Sequence, residues 1–351
     1  MIGAFLLSLF LPVVSAQENV QDVFETLSAT YSADGLERAA IDGMIKTLDD
    51  EVGLRGSKAL TTQEYKDWQA WKRGERDGFG LRIQVLAGRG FVIEEVMVGS
   101  PAGEVGLQAG DFIVSVNTRT LNGLSAPEML SILEAEGQNR LIVDVIRQGE
   151  KQVFKLYKGS FAIPQVTLSG KNTLRVQFFG EDSSQQIQEM LSQHSNLSIL
   201  DLRDNQGGLW EEAIETLDLF CPQETILAYR AHHDGTQIPI LSQKTATMTK
   251  PMVILINQGT KGPAELVALT LQEQGLATLV GERSGGDGMD YHTLYPNPNW
   301  VLLMADTTIL SSKKKAWQSV GVVPNLSISS NQTYRGEDRQ WQTAIQLVSS
   351  P

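Results

Sequence analysis

Residues 99–117 read Gly-Ser-Pro-Ala-Gly-Glu-Val-Gly-Leu-Gln-Ala-Gly-Asp-Phe-Ile-Val-Ser-Val-Asn, a glycine-punctuated stretch that ends in a short apolar run. Short strands are expected around it, because apolar runs bounded by glycine turns are typical of β segments. The candidate strands are Phe91–Val98, Phe112–Val116 and Leu141–Ile146. The stretch therefore predicts a small β domain over residues 77–159.

The spacing G-S-P-A-x-x-x-G-L-x-x-G-D-x-I-x-x-V-N in this stretch resembles the PDZ-domain signature of bacterial proteases. The resemblance implies a β-barrel-like PDZ domain. Gly78, Phe79, Gly80 and Leu81 match the loop whose backbone N–H groups bind a terminal carboxylate. A ligand of such a domain adds as a further strand. The alternative is a glycine-rich turn that binds nothing.

The C-terminal part of the chain, residues 160–351, alternates strand and helix patterns. The strand candidates are Leu174–Phe179, Ser198–Leu202 and Met252–Ile256, and the helix candidates are Glu211–Phe220 and Ala264–Gln274. Such alternation is typical of an α/β layer with a partly parallel sheet. The expected fold class is therefore α/β, within a multidomain α+β arrangement.

Three short motifs in this part resemble the carboxyl-terminal processing proteases, also called tail-specific proteases. They are Asp201–Gly208 (DLRDNQGG), Asn257–Leu266 (NQGTKGPAEL) and Gly321–Asn325 (GVVPN). The family carries D-L-R-x-N-P-G-G, N-x-G-S-A-S-A-S-E-I and G-I-x-P-D at these places. The resemblance implies a protease-like α/β core, with an oxyanion-hole amide from the glycine pair Gly207 and Gly208.

The catalytic positions depart from the family pattern. Gly262 stands where the family has its nucleophilic serine, and it is followed by Pro263, which has no N–H to donate. Asp287 stands at the position of the general-base lysine, and Tyr291 stands at that of a glutamine. In working members the lysine deprotonates the serine. The resemblance therefore implies a protease scaffold without its catalytic residues.

Other side chains in the α/β part could supply a nucleophile and a base: Thr260, Ser284, His194, His232, His233 and His292. A Ser284–His292 pair is the alternative that would keep hydrolysis. No metal is expected, because no His, Cys and Asp residues have ligand spacing. The run His232-His233-Asp234 is expected to be a solvated loop, and no cofactor is expected.

Helical patterns dominate residues 17–76. Apolar residues of Leu36–Leu48 recur near the 3.6-residue period, and Thr61-Thr62-Gln63-Glu64 has capping-box spacing. Earlier, the apolar run Ile2–Val14 is too short to span a bilayer and leads into the small-x-small pattern Val14-Ser15-Ala16. Residues 1–16 are therefore expected to be a secretory signal peptide. An uncleaved anchor is the alternative, because no Lys or Arg precedes the run.

Composition narrows the expected partners. The 351 residues are 41% hydrophobic and 20% charged. The formal net charge of −12 argues against nucleic acid as a binding partner. The single cysteine, Cys221, lies in an apolar run, excludes an internal disulfide and is expected to be buried. The expected location is periplasmic or secreted, and the expected partners are polypeptide C-termini or a partner protein.

Three functions follow from these patterns. The first is a pseudoprotease that binds peptide or protein C-termini. The second is an active serine-type endopeptidase with a relocated nucleophile. The third is an inactive structural subunit that pairs with an active paralogue.

Overall fold

The computed structural model describes residues 22–23, 25–27, 35–52, 56–134, 139–248, 250–329 and 338–349. The expected signal peptide, residues 1–16, lies outside these ranges. The chain forms two compact units, residues 1–59 and residues 60–351.

The N-terminal region is less helical than its patterns predict. Helices α1 (Leu36–Val52) and α2 (Thr62–Lys72) are present, but strands β1 (Lys58–Thr61) and β2 (Glu75–Gly78) lie in the same region. Strand β2 pairs in antiparallel fashion with β9 (Gly159–Ala162). The prediction of a helical segment over residues 17–76 was therefore wrong for these strands. The pairing of β2 depends on a partner some eighty residues away, which local periodicity does not reveal.

The predicted capping box opens α2. The Thr61 hydroxyl accepts a hydrogen bond from the Glu64 N–H at 3.2 Å, and the Glu64 carboxylate accepts one from the Thr61 N–H at 2.7 Å. Two backbone donors at the start of the helix are thereby satisfied.

The predicted small β domain is an antiparallel sheet with two short helices. Its elements are β3 (Leu81–Leu86), β4 (Gly90–Val96), α3 (Pro101–Glu104), β5 (Phe112–Val116), β6 (Arg119–Thr120), α4 (Ala126–Glu134), β7 (Arg140–Arg147) and β8 (Glu150–Tyr157). The strand order is β3-β4-β5-β7-β8, with β6 paired to β5. Its hydrophobic core includes Phe91, Ile113, Met129 and Val143. Strand β3 is an edge of this sheet.

The C-terminal part contains the predicted α/β layer. Its sheet has the order β10 (Val166–Leu168), β11 (Thr173–Val176), β12 (Ile199–Asp201), β15 (Met252–Ile256), β16 (Ala277–Gly281) and β19 (Leu326–Ser327). Strands β11 to β19 of this order run parallel, and β10 is antiparallel. The run Met252–Ile256 is buried along its whole length, as expected for a central parallel strand.

Helices cover both faces of this sheet. Side chains on both sides of its central strands are therefore buried, and the sequence of these strands is continuously apolar. Helices α5 (Ser183–Gln193), α6 (Trp210–Asp218) and α7 (Pro263–Glu273) pack in one core with Leu200 and Ile254. Helix α8 (Arg339–Ser349) packs on the opposite face, where Ala344 contacts Ile199 and Val253. The three helices between the parallel strands therefore lie on one face of the sheet, and the C-terminal helix covers the other face, as in layered α/β folds.

A second antiparallel sheet contains β17 (Met289–Asn297), β18 (Trp300–Ser311), β13 (Ile226–His232) and β14 (Gln237–Leu241), in that order. In the run His232-His233-Asp234, His232 ends β13, and His233 and Asp234 are exposed in the turn to β14. Cys221 is buried, and burial raises the pKa of its thiol to about 12. Its thiol is therefore unreactive at neutral pH.

Candidate active site

Three loops meet at the carboxyl ends of adjacent parallel strands. The loop after β12 contains Gly207 and Gly208, the loop after β15 contains Gly262, and the loop after β16 contains Asp287. Open α/β sheets bind ligands at this edge. The three segments that the sequence singles out are therefore brought together in space.

Gly262 begins helix α7. It is the residue before the first helical position, with φ 54° and ψ −121°, and its N–H donates to the Glu265 carboxylate at 2.9 Å. A Cβ atom at this position would have ordinary contacts, with Asp287 O at 3.7 Å and Gly207 Cα at 4.0 Å. The site therefore has room for a side chain at residue 262, but the chain places no atom there.

The glycine pair lies beside Gly262, and its two amides have different surroundings. The Gly207 N–H donates to the Asn205 side-chain oxygen at 2.9 Å. Phe179 forms a bridge to this segment through Gly207 O and Leu209 N, which leaves the Gly208 N–H outside the bridge. A Cβ on Gly208 would meet Phe179 O at 2.2 Å, so only glycine fits there. Of the two amides predicted for the oxyanion hole, that of Gly207 thus already donates its hydrogen bond to a side chain of the protein.

Glu265 organises the floor of the site and was missed by the sequence reasoning. This buried carboxylate accepts hydrogen bonds from the N–H groups of Gly286 and Asp287, each at 2.7 Å, and from the Ser284 hydroxyl. Burial raises the pKa of Glu265, although these hydrogen bonds oppose the shift. The available signal was an acidic residue in an otherwise apolar helix start, three positions after Gly262.

A pocket of about 60 Å³ lies over Gly262. Its lining includes four aromatic, two acidic and three glycine residues: Trp68, Trp71, Lys72, Gln206, Gly207, Gly208, Trp210, Gly262, Pro263, Asp287, Met289, Asp290 and Tyr291. The predicted base and glutamine positions, Asp287 and Tyr291, both belong to it. Burial raises the pKa of Asp290, and Arg230 Nε lies 3.7 Å from its carboxylate.

The other candidate nucleophiles have structural roles. The buried Thr260 hydroxyl donates to Leu202 O at 2.8 Å and accepts from Asn257 N at 3.0 Å. The Ser284 hydroxyl donates to Glu265 and accepts from Val322 N at 2.6 Å. His292 instead lies 3.5 Å from the Asp306 carboxylate. The hypothetical Ser284–His292 pair was therefore wrong, because the serine proton is directed to a carboxylate.

The predicted carboxylate-binding loop lies between β2 and β3. Gly78 ends β2, and Gly80 has φ +75°. A Cβ on Gly80 would lie 2.0 Å from Ser100 Cβ, so the loop passes too close to Ser100 for any other residue. Because β3 is an edge strand, its outer side can accept a further strand.

Comparison with known proteins agrees with this arrangement. The model of peptidase family S41 matches residues 173–328, and a PDZ-domain model matches residues 92–147. Residues 173–328 therefore match peptidase family S41, and most of the chain is similar to curated carboxyl-terminal processing proteases. The predictions of the family and of the α/β fold with a PDZ domain are therefore confirmed. The boundaries 77–159 and 160–351 and the roles of the site residues stay predictions.

Two curated carboxyl-terminal processing proteases resemble most of this chain. The carboxyl-terminal-processing protease of Synechocystis sp. is 29% identical over 265 residues, which cover 71% of this chain and 61% of that protein. The carboxy-terminal processing protease CtpA of Bacillus subtilis is 24% identical over 284 residues, which cover 77% of this chain and 60% of that protein. The chain thus spans about three fifths of the length of these two relatives.

Two solved structures share the fold. The photosystem II D1 C-terminal processing protease has a TM-score of 0.54 at 20% identity, over 90% of this chain and 87% of that one. A putative S41 protease from Bacteroides fragilis has a TM-score of 0.60 at 15% identity, over 86% and 87%.

The described ranges contain no cluster of three or more His, Cys, Asp or Glu residues that could hold a metal ion. No helix within the described part of the chain is long and apolar enough to cross a membrane.

Proposed function

We propose that this S41 family member binds polypeptide C-termini through its PDZ domain and does not hydrolyse them. The observation that carries the proposal is Gly262, which begins α7 beside the glycine pair and has no side chain. The loops after β12 and β16 converge on Gly262. Acyl transfer at this site would therefore need an attacking atom on residue 262.

The surroundings of Gly262 support the same proposal. Pro263 has no N–H to donate to an oxyanion. Among the described residues that line the pocket there is no serine, threonine or cysteine. The base position holds the carboxylate of Asp287 instead of an amine. In well-studied serine hydrolases, loss of the nucleophile alone costs roughly 10⁶ in turnover.

Retention of the PDZ loop supports the binding role. Gly80 is the residue that lets the loop pass Ser100, and the neighbouring β3 edge has the pairing groups that an added peptide strand requires. The proposed ligand is an extended peptide with a free carboxylate at its end.

Hydrolysis is tested with a fluorophosphonate probe and with fluorogenic peptides. We expect no labelling of the wild-type chain and no cleavage above background. The double variant Gly262→Ser/Asp287→Lys should remain slow, because Pro263 still withholds an amide. Adding Pro263→Ala should raise its rate by about 10²-fold, the value of one oxyanion donor. Labelling of a serine or threonine in the wild type would favour the alternative of a relocated nucleophile.

Peptide binding is tested with a C-terminal peptide library, each member compared with its amidated form. An added Cβ on Gly78 meets nothing within 4 Å, and the backbone there does not have positive φ. Gly78→Asp therefore adds a negative charge beside the loop without a clash, and Gly78→Asn is its neutral control. We expect Asp but not Asn to abolish binding. Equal binding of free and amidated peptides would refute carboxylate recognition.

The proposed place of action is outside the cytoplasm, in the periplasm or as a secreted protein. This proposal rests on the sequence of residues 1–16 alone. Pairing with an active paralogue stays a prediction, and co-purification from the native source tests it.

A further inference from the structure

A second cleft lies between the PDZ domain and the α/β sheet. It has a volume of about 260 Å³, and four arginines line it: Arg76, Arg82, Arg175 and Arg203. We call it the arginine cleft. Its apolar wall includes Val96, Met97, Ile163 and Phe178. The concentration of four cations in one cleft is notable in a chain whose formal net charge is −12.

Two of the four arginines are neutralised within the protein. Arg82 lies 3.1 Å from the Glu95 carboxylate and 3.9 Å from that of Asp204. Arg203 lies 2.8 Å from Asp201 and 2.7 Å from Asp338. These pairs account for both acidic residues that line the arginine cleft, Glu95 and Asp204.

Arg175 has no such partner. Its Nε is buried without a hydrogen-bond partner among the described residues. The carboxylate nearest in strand register is that of Asp201, since Arg175 and Asp201 are paired between β11 and β12. Both oxygens of Asp201 already accept hydrogen bonds from Arg203, at 2.9 and 2.8 Å. The Arg175 guanidinium is therefore a partly buried cation with unused donors.

Arg76 is the second uncompensated cation. Its guanidinium carbon lies 5.4 Å from the centre of the Trp71 ring and 4.9 Å from that of Phe178. Its hydrogen bonds go to backbone oxygens of Trp71 and Glu75, and none of the ion pairs in the described ranges includes it. Burial lowers the pKa of Arg76, because removing the guanidinium from water disfavours its charged form. The two rings hold the guanidinium in place, so the cation is preorganised.

We infer that the arginine cleft binds a carboxylate group carried on an apolar moiety, with Arg175 and Arg76 as its donors. A guanidinium fork matches the two oxygens of a carboxylate, and a half-buried cation gains more from such a ligand than an exposed one. The apolar wall would accommodate the rest of the ligand. This site is distinct from the Gly78–Leu81 loop and does not depend on the absence of catalysis.

The probe for this site is N-acetylleucine, titrated into the full chain by calorimetry, with N-acetylleucinamide as the uncharged control. We expect saturable binding of the acid only. Arg175→Gln should weaken it by at least about tenfold, the effect of losing one charge-assisted contact. Arg175→Lys, which keeps the charge without the fork, should weaken it less. Arg119→Gln is the matched control, since Arg119 is exposed on β6 and outside the cleft.

A fold defect is separable from a site defect in this design. Because Arg175 lacks a partner, Arg175→Gln should leave the melting temperature unchanged or raise it. A free-terminus peptide and its amide form the second arm of the experiment. Competition between the peptide and N-acetylleucine, lost in Arg175→Gln, would identify a polypeptide terminus as the carboxylate source. Binding of N-acetylleucine alone would identify a small carboxylate.

Three outcomes would overturn the inference. One is no binding of N-acetylleucine at about 10 mM, where a millimolar site is about nine-tenths occupied. Another is equal binding of the acid and the amide. The third is equal weakening by Arg175→Gln and Arg119→Gln. Peptide binding that is lost in Gly78→Asp and unaffected in Arg175→Gln would assign the carboxylate to the PDZ loop, so failures of the two proposals are distinguishable.

Discussion

At the scale of single residues, Gly262 combines a vacant position with an unusual backbone. Its φ of 54° and ψ of −121° place it in a region that side chains rarely adopt. The space for a Cβ is nevertheless open. The backbone at residue 262 thus favours glycine, although the space around it would accept a side chain.

Introducing a serine at residue 262 should reduce stability through backbone strain alone. We expect Gly262→Ser to lower the free energy of unfolding by about 1–3 kcal/mol, as for other residues held in strained backbone regions. Urea denaturation measures the change. Gly78→Ser is the control, since its backbone is unstrained and its surroundings are open, and it should change stability by less than about 0.5 kcal/mol. Equal effects of the two changes would contradict the strain argument.

Glu265 is the residue on which the local geometry depends. Its carboxylate joins the start of α7 to the Ser284–Asp287 loop through four donors. Removing acceptor capacity from a buried group leaves donors unsatisfied, at about 1–3 kcal/mol each. Glu265→Gln should therefore destabilise the protein by at least about 2 kcal/mol. Glu150→Gln is the control, because Glu150 is an exposed glutamate at the start of β8. Comparable losses of unfolding free energy in the two variants would show that the hydrogen bonds of Glu265 do not stabilise the protein specifically.

The raised pKa of Glu265 also predicts a pH dependence. A carboxyl group whose pKa is higher in the folded state keeps its proton after the unfolded chain has lost it. Its contribution to stability therefore falls as the pH rises from the unfolded-state pKa through the folded-state pKa. Asp290, whose pKa is also raised, contributes in the same direction. Glu265→Gln should remove part of this slope in denaturation series over pH. An unchanged slope would refute a titrating Glu265.

At the scale of elements, the GD pair of the PDZ signature has a structural role. Asp111 is buried, accepts from Gln108 N at 2.9 Å and lies 2.6 Å from Arg147 on β7. Burial opposes ionisation of Asp111, but the hydrogen bonds from Arg147 and Gln108 outweigh it and hold its pKa below the ordinary value. The motif residue thus ties the turn before β5 to β7.

Breaking this pair should weaken the PDZ sheet. We expect Arg147→Met to cost about 3 kcal/mol, since it leaves a buried carboxylate unpaired. Because the pKa of Asp111 is lowered, its stabilising contribution is present above the unfolded-state pKa and lost as the pH falls through the folded-state value. The difference from wild type should shrink in acid. Arg119→Met, at an exposed position on β6, is the control, and a pH-independent difference would contradict the mechanism.

The capping box of α2 gives a smaller and independent prediction. Thr61→Ala removes the hydroxyl that accepts from Glu64 N, which typically costs about 1 kcal/mol. Lys66→Ala, on the exposed side of the same helix, should have little effect. Thermal denaturation of both variants measures the difference. No loss in Thr61→Ala would show that the helix start is held by other contacts.

At the scale of the whole molecule, the PDZ domain and the α/β layer have separate hydrophobic cores. The cluster around Met129 and the cluster around Leu266 share no residue. All six tryptophans lie outside residues 77–159, so their fluorescence reports on the rest of the chain. Met129→Ala should destabilise the PDZ domain by about 2–5 kcal/mol. We expect this loss to appear in unfolding followed by far-UV circular dichroism. The midpoint of unfolding followed by tryptophan fluorescence should stay unchanged.

The matched variant is Leu266→Ala, which removes a buried side chain from α7. It should lower the midpoint of the tryptophan transition. If Met129→Ala lowers that midpoint by the same amount, the two domains unfold as one cooperative unit and the separation of cores has no thermodynamic consequence.

The sequence by itself determined the family, the α/β layer with its partly parallel sheet, the PDZ domain, and the absence of a side chain at Gly262. These features are encoded in contiguous motifs and in local periodicity. The tertiary structure alone decided that Glu265 organises the site, that Asn205 engages the Gly207 amide, and that Ser284 and His292 are apart. It also decided that β2 is a strand and that Arg76 and Arg175 face one cleft. Each of these depends on contacts between segments distant in sequence, which packing brings together and local patterns do not record.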